Sequence, residues 1–336
     1  MLLIDAMYIN KGGGAVLLHY LIETICNHNE GKHCFFMLDP RFKKPDVLKE
    51  NYVVIPNKIP DRIKFYRQNK HRFSKVFCFA NTPPPVKFKV PVYTYFHNQK
   101  VLEAAHKKFE KNYRTIFIKY LFVKLWNRNT DFYMVQTPHM VDLMLDHRLK
   151  DRDHLLTYPF YNDERYKIPS PDYESRPKDA FVFVSTPSPQ KNYPTLLDAW
   201  EYLQTKGYTP ELHITVDETA PQLLARIEEL RSKGVKITNY SYLDPRELYF
   251  KYRYLVCPSI MESFGLPLIE AVDSGMKVLA PDLPYVYDVI KPSATFNPWN
   301  KVEMAEAVIK ALQTDLPFPE VVTHNRVNEL VDMLLM

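Results

Sequence analysis

Short apolar runs alternate from end to end of this chain with stretches whose apolar residues recur every three or four positions. The runs have no polar alternate, which is the pattern of strands covered on both faces. They predict strands over 2–5, 33–38, 52–55, 76–79, 92–96 and 132–136 in one series. A second series is predicted over 180–184, 212–216, 235–238, 255–258, 278–280 and 294–296. The periodic stretches predict helices over 15–28, 62–73, part of 101–128 and 139–146, then 195–206, 221–233, 245–252 and 267–274. Such alternation builds βαβ units and parallel sheets.

Between the two series lies a polar, proline-bearing stretch over 159–177, the expected interdomain link. The fold class is therefore α/β, with two Rossmann-like domains facing a central cleft. They are expected over 1–160 and 161–318, followed by 319–336, whose helix (about 320–335) is set to pack back on the first domain. A length of 336 residues accommodates two domains, and 46% hydrophobic with 25% charged residues excludes a disordered chain. The four cysteines, Cys26, Cys34, Cys78 and Cys257, have no Cys-x-x-Cys spacing and sit in apolar surroundings. They read as buried thiols of a reducing compartment, not as metal ligands. The apolar start Met1-Leu2-Leu3-Ile4 meets Asp5 at once, too short for a signal core, and no apolar run is long enough to span a membrane. The expectation is a cytoplasmic protein. A net charge of +5 does not by itself imply nucleic acid, and no nucleic-acid-binding motif is present.

Candidate chemistry concentrates in Glu262-Ser263-Phe264-Gly265-Leu266-Pro267-Leu268-Ile269-Glu270. The apolar run Tyr254-Leu255-Val256-Cys257-Pro258 precedes it, and Pro267 suits the first turn of a helix, where its missing N–H costs nothing. Glu262 then lies in a loop at the carboxyl end of a strand, and Glu270 early in the next helix. Open α/β sheets bind ligands there, and a helix N-terminus offers N–H groups to phosphate. Taken singly, the two glutamates are a solvated loop residue and a helix-start charge favoured by the dipole.

The Glu-x7-Glu string around Phe-Gly-Leu-Pro resembles the donor-site motif of retaining GT-B glycosyltransferases of the family 4, or glycosyl transferases group 1, type. The resemblance is strong over 180–296 and covers only a glycine loop and one histidine in the first half. It implies the GT-B fold and a sugar transferred from a nucleotide-diphosphate sugar, with retention, to a hydroxyl of a glycan or lipid-linked acceptor. Bacterial surface-polysaccharide synthesis is the usual setting. It implies no cofactor beyond the donor and no metal. Glu270 would hold the ribose, and Glu262 with the N–H groups around Phe264, Gly265 and Leu266 the sugar hydroxyls, by charge-assisted bonds. The family's Gly-Arg-x-x-x-x-Lys-Asn has its counterpart in the stretch 185–192, where Lys191 and Asn192 are kept and Thr186 replaces the arginine. Lys191 would neutralise the diphosphate. Tyr240, in Asn239-Tyr240-Ser241-Tyr242, is a candidate to stack on the base, or a plain core or surface tyrosine.

On the acceptor side, Lys11-Gly12-Gly13-Gly14 forms a phosphate or hydroxyl loop, or a flexible connector. His97 ends the strand over 92–96; in the family a histidine here faces the reacting sugar, and a structural strand-end histidine is the other reading. The stretch 98–128 sets eight basic residues, Lys108 and Lys111 among them, against Glu103 and Glu110, interleaved with aromatics. It suits peripheral contact with an anionic membrane and equally a solvated domain face. Two other functions remain open: a degenerate nucleotide- or glycan-binding protein, favoured by Thr186, and a glycoside hydrolase using Glu262 and Glu270. The hydrolase leaves the glycine loop and Lys191 without a phosphate to hold.

Overall fold

The computed structural model describes residues 1–107, 109–110, 113–163, 173–241 and 243–336. Lys108, Lys111, Tyr242 and the middle of the expected interdomain link lie outside them. The chain divides into two compact units, one of Met1–Asn162 with His324–Met336, the other of Asp163–Thr323.

Unit 1 holds seven parallel strands: β1 (Leu2–Ala6), β2 (Cys34–Leu38), β3 (Tyr52–Val54), β4 (Lys75–Cys78), β5 (Val92–Tyr95), β6 (Phe132–Val135) and β7 (Leu155–Thr157). They lie in the order β3-β2-β1-β4-β5-β6-β7. The order reverses between β1 and β4, so the loops leaving these two strands part to opposite faces and open a crevice. Helices α1 (Gly12–Asn27), α2 (Ile59–Asn69), α3 (Gln99–Glu103), α4 (Arg114–Trp126) and α5 (Pro138–Asp146) accompany them. A fully buried pair ties the crevice down: Arg62 of α2 donates to Asp5 of β1 at 2.6 Å and to the carbonyls of Thr82 and Pro83 in the loop after β4. Tyr66 donates to the same carboxylate. Each buried polar atom so engaged escapes the cost of an unmade hydrogen bond.

Unit 2 repeats the plan with β8 (Ala180–Phe183), β9 (Glu211–Ile214), β10 (Ile237–Asn239), β11 (Tyr254–Val256), β12 (Lys277–Pro281) and, after the short β13 (Ile290–Lys291), β14 (Ala294–Phe296). The six-stranded sheet runs β10-β9-β8-β11-β12-β14, with its reversal between β8 and β11. Its helices are α6 (Tyr193–Thr205), α7 (Pro221–Ser232), α8 (Pro245–Tyr249), α9 (Leu266–Asp273), α10 (Pro284–Tyr287) and α11 (Lys301–Gln313). The central strands are buried residue for residue, as their unbroken apolar runs require.

Three differences from the sequence reading have local causes. The stretch over 15–28 extends back to Gly12, so the three glycines form the first turn of α1 instead of a loop before it. A first turn has no intrahelical N–H bonds to lose, which lowers the cost of glycine there. The closing helix does not begin near 320. Glu320–Val321 is a strand, β15, antiparallel to β13, and the helix α12 spans only Val327–Leu335. The β-branched pair Val321-Val322 after Pro319... favours extended backbone over helix there.

 
The third difference is an addition: β7 and α11 go beyond the elements read from the pattern. In α11, Asn300 accepts from the N–H groups of Val302 and Glu303, and Glu303 accepts from the Asn300 side-chain amide at 2.7 Å. This is a reciprocal cap that the Asn-x-x-Glu spacing encodes.

Helix α12 belongs to unit 1. Its Asp332 meets His28 of α1 at 3.2 Å, and Lys75 of β4 donates to the carbonyl of Met333. Arg326 donates from its backbone to Pro159 and from its guanidinium to Thr157, and lies over the Tyr158 ring at 4.8 Å.

Candidate functional site

In unit 2 the loops that leave β8 and β11, the two strands flanking the reversal, carry Lys191 and Glu262. They are 71 residues apart in the chain, yet Lys191 Nζ lies 2.5 Å from Glu262 Oε1, with side-chain exposures of 15% and 17%. The loop backbones are also joined, Ile260 N–H donating to the carbonyl of Gln190 at 2.8 Å. Burial pulls the Lys191 ammonium down, but the Glu262 carboxylate, aided by Glu270, outweighs it and holds the pKa above the usual lysine value. Lys191 is therefore a fixed cation at neutral pH, held in the crevice by its own counterion.

Each loop has its own support. After β8, the turn Pro189–Lys191 ends at Asn192, whose backbone is left-handed at φ 52°. The Asn192 side chain donates to the carbonyl of Pro298 at 2.7 Å and accepts from Thr195 at 2.8 Å. Asn192 therefore anchors the lysine loop through its side chain. Tyr193 donates to the carbonyl of Ser185, closing the base of the same loop. Thr186, in place of the family's arginine, is exposed.

After β11, Tyr285 of α10 donates to the carbonyl of Ser259 at 2.8 Å. Gly265 then turns the chain into α9 with φ at +89°, where a Cβ would lie 3.2 Å from Leu268 Cδ1. A left-handed residue with a packed flank is a glycine position. Phe264 is buried, Leu266 opens the helix, and Pro267 stands in its first turn. Glu270 lies one turn further on, close enough to raise Lys191 electrostatically.

Tyr240 follows β10 but is engaged away from this group. Its hydroxyl is 3.2 Å from His213 Nδ1 and 3.0 Å from the Tyr252 hydroxyl, and its ring stacks on His213 at 6.0 Å. Among the described residues no group of three or more His, Cys, Asp or Glu is placed to hold a metal ion.

In unit 1 the structure brings Gly14 and His97 together. A Cβ on Gly14 would sit 3.2 Å from His97 Nε2, so only glycine lets α1 start this close to the imidazole. Gly12 is left-handed at φ +68°, and Gly12 and Gly13 are exposed. His97 packs against Phe79 at 5.1 Å, and burial pushes its pKa down to about 4. It is neutral at physiological pH.

Sequence reasoning missed Asn81, which bonds His97, and the Asp5–Arg62–Tyr66 group beneath the crevice. Asn81 had one available signal: it lies at a strand exit, in Ala80-Asn81-Thr82-Pro83-Pro84-Pro85, where asparagine is favoured in left-handed turns. For Asp5 and Arg62 the signal was only a charge inside an apolar run.

Residues 178–314 match the family model described as glycosyl transferases group 1. The serotype-specific mannosyltransferase WbdA of Escherichia coli is 31% identical over 123 residues, which are 35% of this chain and 15% of WbdA. The O-antigen chain mannosyltransferase RfbU of Salmonella typhimurium is 35% identical over 81 residues, 24% of this chain and 23% of RfbU. The chain thus spans less than a quarter of the length of either. The structure of Anabaena Alr3699/HepE in complex with UDP and glucose superposes with a TM-score of 0.69 at 14% identity, covering 93% of this chain and 90% of that one. At that identity the likeness is one of fold, and the fold is GT-B.

Proposed function

Because unit 2 belongs to the glycosyl transferases group 1 family and the chain has the GT-B fold, we propose that the protein transfers a sugar from a nucleotide-diphosphate sugar to a hydroxyl of a glycan or lipid-linked acceptor. The observation that carries this reading is the Lys191–Glu262 pair at the strand reversal, beside the start of α9. It combines a fixed cation for a diphosphate, a carboxylate for sugar hydroxyls and the free N–H groups of a helix start. WbdA and RfbU are mannosyltransferases, one serotype-specific and one acting on O-antigen chains, and HepE was solved with UDP and glucose. These relatives favour polysaccharide assembly as the setting.

In the proposed reaction the diphosphate displaces the Glu262 carboxylate from Lys191, and the released carboxylate turns to hydroxyls of the transferred sugar. Glu270 holds the ribose. The bond from the anomeric carbon to the diphosphate breaks, and the acceptor oxygen takes its place with retention. The leaving phosphate accepts the hydroxyl proton, and Lys191 neutralises the diphosphate without a metal. His97, neutral, donates a hydrogen bond to the sugar. Its low pKa removes it as a cation and makes it a poor base at pH 7. The hydrolase reading fits this geometry less well, because Glu262 is committed to a lysine and a phosphate-free reaction has no use for that cation.

Contact with an anionic membrane is the second part of the proposal. No helix among the described residues is long and apolar enough to cross a membrane. Helix α4, however, turns Ile118, Leu121 and Leu125 outward, at 52%, 49% and 61% exposure, between Arg114 and Arg128. An outward apolar stripe with basic ends suits a lipid surface.

The test is calorimetry against UDP, GDP, ADP and CDP and their sugar conjugates without added metal, followed by transfer assays with the donor that binds. One nucleotide is expected to bind selectively. Lys191→Ala is expected to weaken it by roughly 10- to 100-fold, the loss of a charge-assisted contact of about 1.5–3 kcal/mol. Glu270→Ala should weaken donor binding, and Glu262→Ala should reduce turnover. Binding without turnover would favour the degenerate binder. No nucleotide binding, with cleavage of aryl glycosides, would favour the hydrolase.

A further inference from the structure

His97 is held by a single neighbour in a way that dictates where its proton sits. Asn81 follows β4, and its backbone is left-handed at φ 63°. Its backbone N–H donates to the carbonyl of Tyr95 at 3.2 Å, fixing it against the exit of β5. Its side-chain oxygen accepts from the backbone N–H of His97 at 2.6 Å. That bond assigns the two ends of the carboxamide, because a backbone N–H needs an acceptor. The Asn81 NH₂ group is then the end that faces His97 Nε2, at 3.4 Å. An NH₂ group only donates, so Nε2 must present its lone pair, and the proton of the neutral ring belongs on Nδ1. The first turn of α1 bounds the same nitrogen, since a Cβ on Gly14 would lie 3.2 Å from it. Nδ1 is buried and has no hydrogen-bond partner among the described residues.

We infer that Asn81 is a positioning residue that fixes His97 as the neutral Nδ1–H tautomer and so makes it a hydrogen-bond donor through that nitrogen. Without Asn81 the ring is free to carry its proton on Nε2 and to turn the other edge to a ligand. A carboxylate at position 81 reverses the arrangement, because it accepts from the His97 backbone N–H and from a protonated Nε2 at once. The tautomer stands on the geometry of unit 1 alone. Its kinetic consequence rests on the proposed contact of His97 with the transferred sugar.

The experiment is ¹⁵N NMR of the full-length protein labelled at its histidine side chains, with the His97 signals assigned by difference from His97→Gln. The wild type is expected to show a non-protonated Nε2 and a protonated Nδ1 across pH 6–8. Asn81→Asp, which has the same shape and also tolerates the left-handed backbone, is expected to move the proton to Nε2. Asn81→Ser keeps a small acceptor but removes the NH₂ donor, and is expected to give a mixture. With the donor found by calorimetry, Asn81→Asp should lower kcat by about tenfold, the equivalent of one lost hydrogen bond at 1.36 kcal/mol per decade, and leave donor KM within about twofold. A wild-type Nε2–H tautomer, or unchanged tautomers in a folded Asn81→Asp, overturns the inference. A shifted tautomer with unchanged kcat removes the catalytic consequence. If no nucleotide sugar is turned over at all, the transferase reading fails while the NMR result still decides the role of Asn81.

Discussion

Gly265 and His97 show how much one residue decides here. Gly265→Ala places a Cβ at φ +89° and against Leu268, so it combines left-handed strain with overpacking. A loss of roughly 1–3 kcal/mol is expected, lowering Tm by roughly 3–10 °C in calorimetric unfolding. Leu266→Val, one position on, should cost far less. His97 couples stability to acid. Its folded pKa of about 4 lies below the value of 6.5 it has when exposed, so as pH falls below 6.5 the unfolded chain takes up a proton that the folded chain refuses. This contribution is complete above pH 6.5 and is lost between 6.5 and 4, on the order of 2–3 kcal/mol. His97→Gln should flatten that part of a denaturant-derived stability curve; an unchanged slope would show that His97 titrates normally. At this scale the sequence was legible wherever residues share one string, as Glu262 and Glu270 do. It was silent where partners meet only through the fold: neither the closure of Lys191 on Glu262 nor the grip of Asn81 on His97 leaves a local pattern.

Elements were legible in proportion to how completely they are buried. Strands β8, β11 and β12 are buried along their whole length and appear in the sequence as unbroken apolar runs. Strand β7, at the sheet edge and only partly buried, has too short a signal. Helix α4 is the opposite case. Of its described residues only Val123 is fully buried, so its apolar content exceeds what packing within unit 1 uses. If that excess serves a lipid surface, Leu121→Glu with Leu125→Glu should leave Tm nearly unchanged, since both side chains are exposed, and should reduce co-sedimentation with phosphatidylglycerol vesicles at least about tenfold. A loss of Tm with no loss of vesicle binding would instead make the stripe structural.

For the whole molecule, the strand reversals and parallel registers follow from the alternation of runs and helices, and the α/β class was readable from it. The end of the chain was less so, because the stretch before Val327 pairs as a strand with β13. Helix α12 buries Val327, Leu330, Val331 and Leu334, each contributing about 1.5–3 kcal/mol. That is comparable to the net stability of a domain, about 5–15 kcal/mol. Deleting residues 324–336 should therefore unfold unit 1 in differential scanning calorimetry. The transition of unit 2, and the part of the nucleotide affinity that depends on Lys191, should remain. Loss of both transitions together would show that the units unfold as one.

The same connectivity sets an order of events on the ribosome. Residues 1–162 emerge first, yet the helix that covers α1 and anchors β4 and the segment after β7 is translated only after all of unit 2. The earlier-made half must wait, with part of its apolar surface uncovered, while the later-made half has everything it needs to fold. Nascent unit 1 is the stage at which this protein most needs a chaperone, and truncated products ending inside unit 2 are the ones a cellular protease should clear fastest.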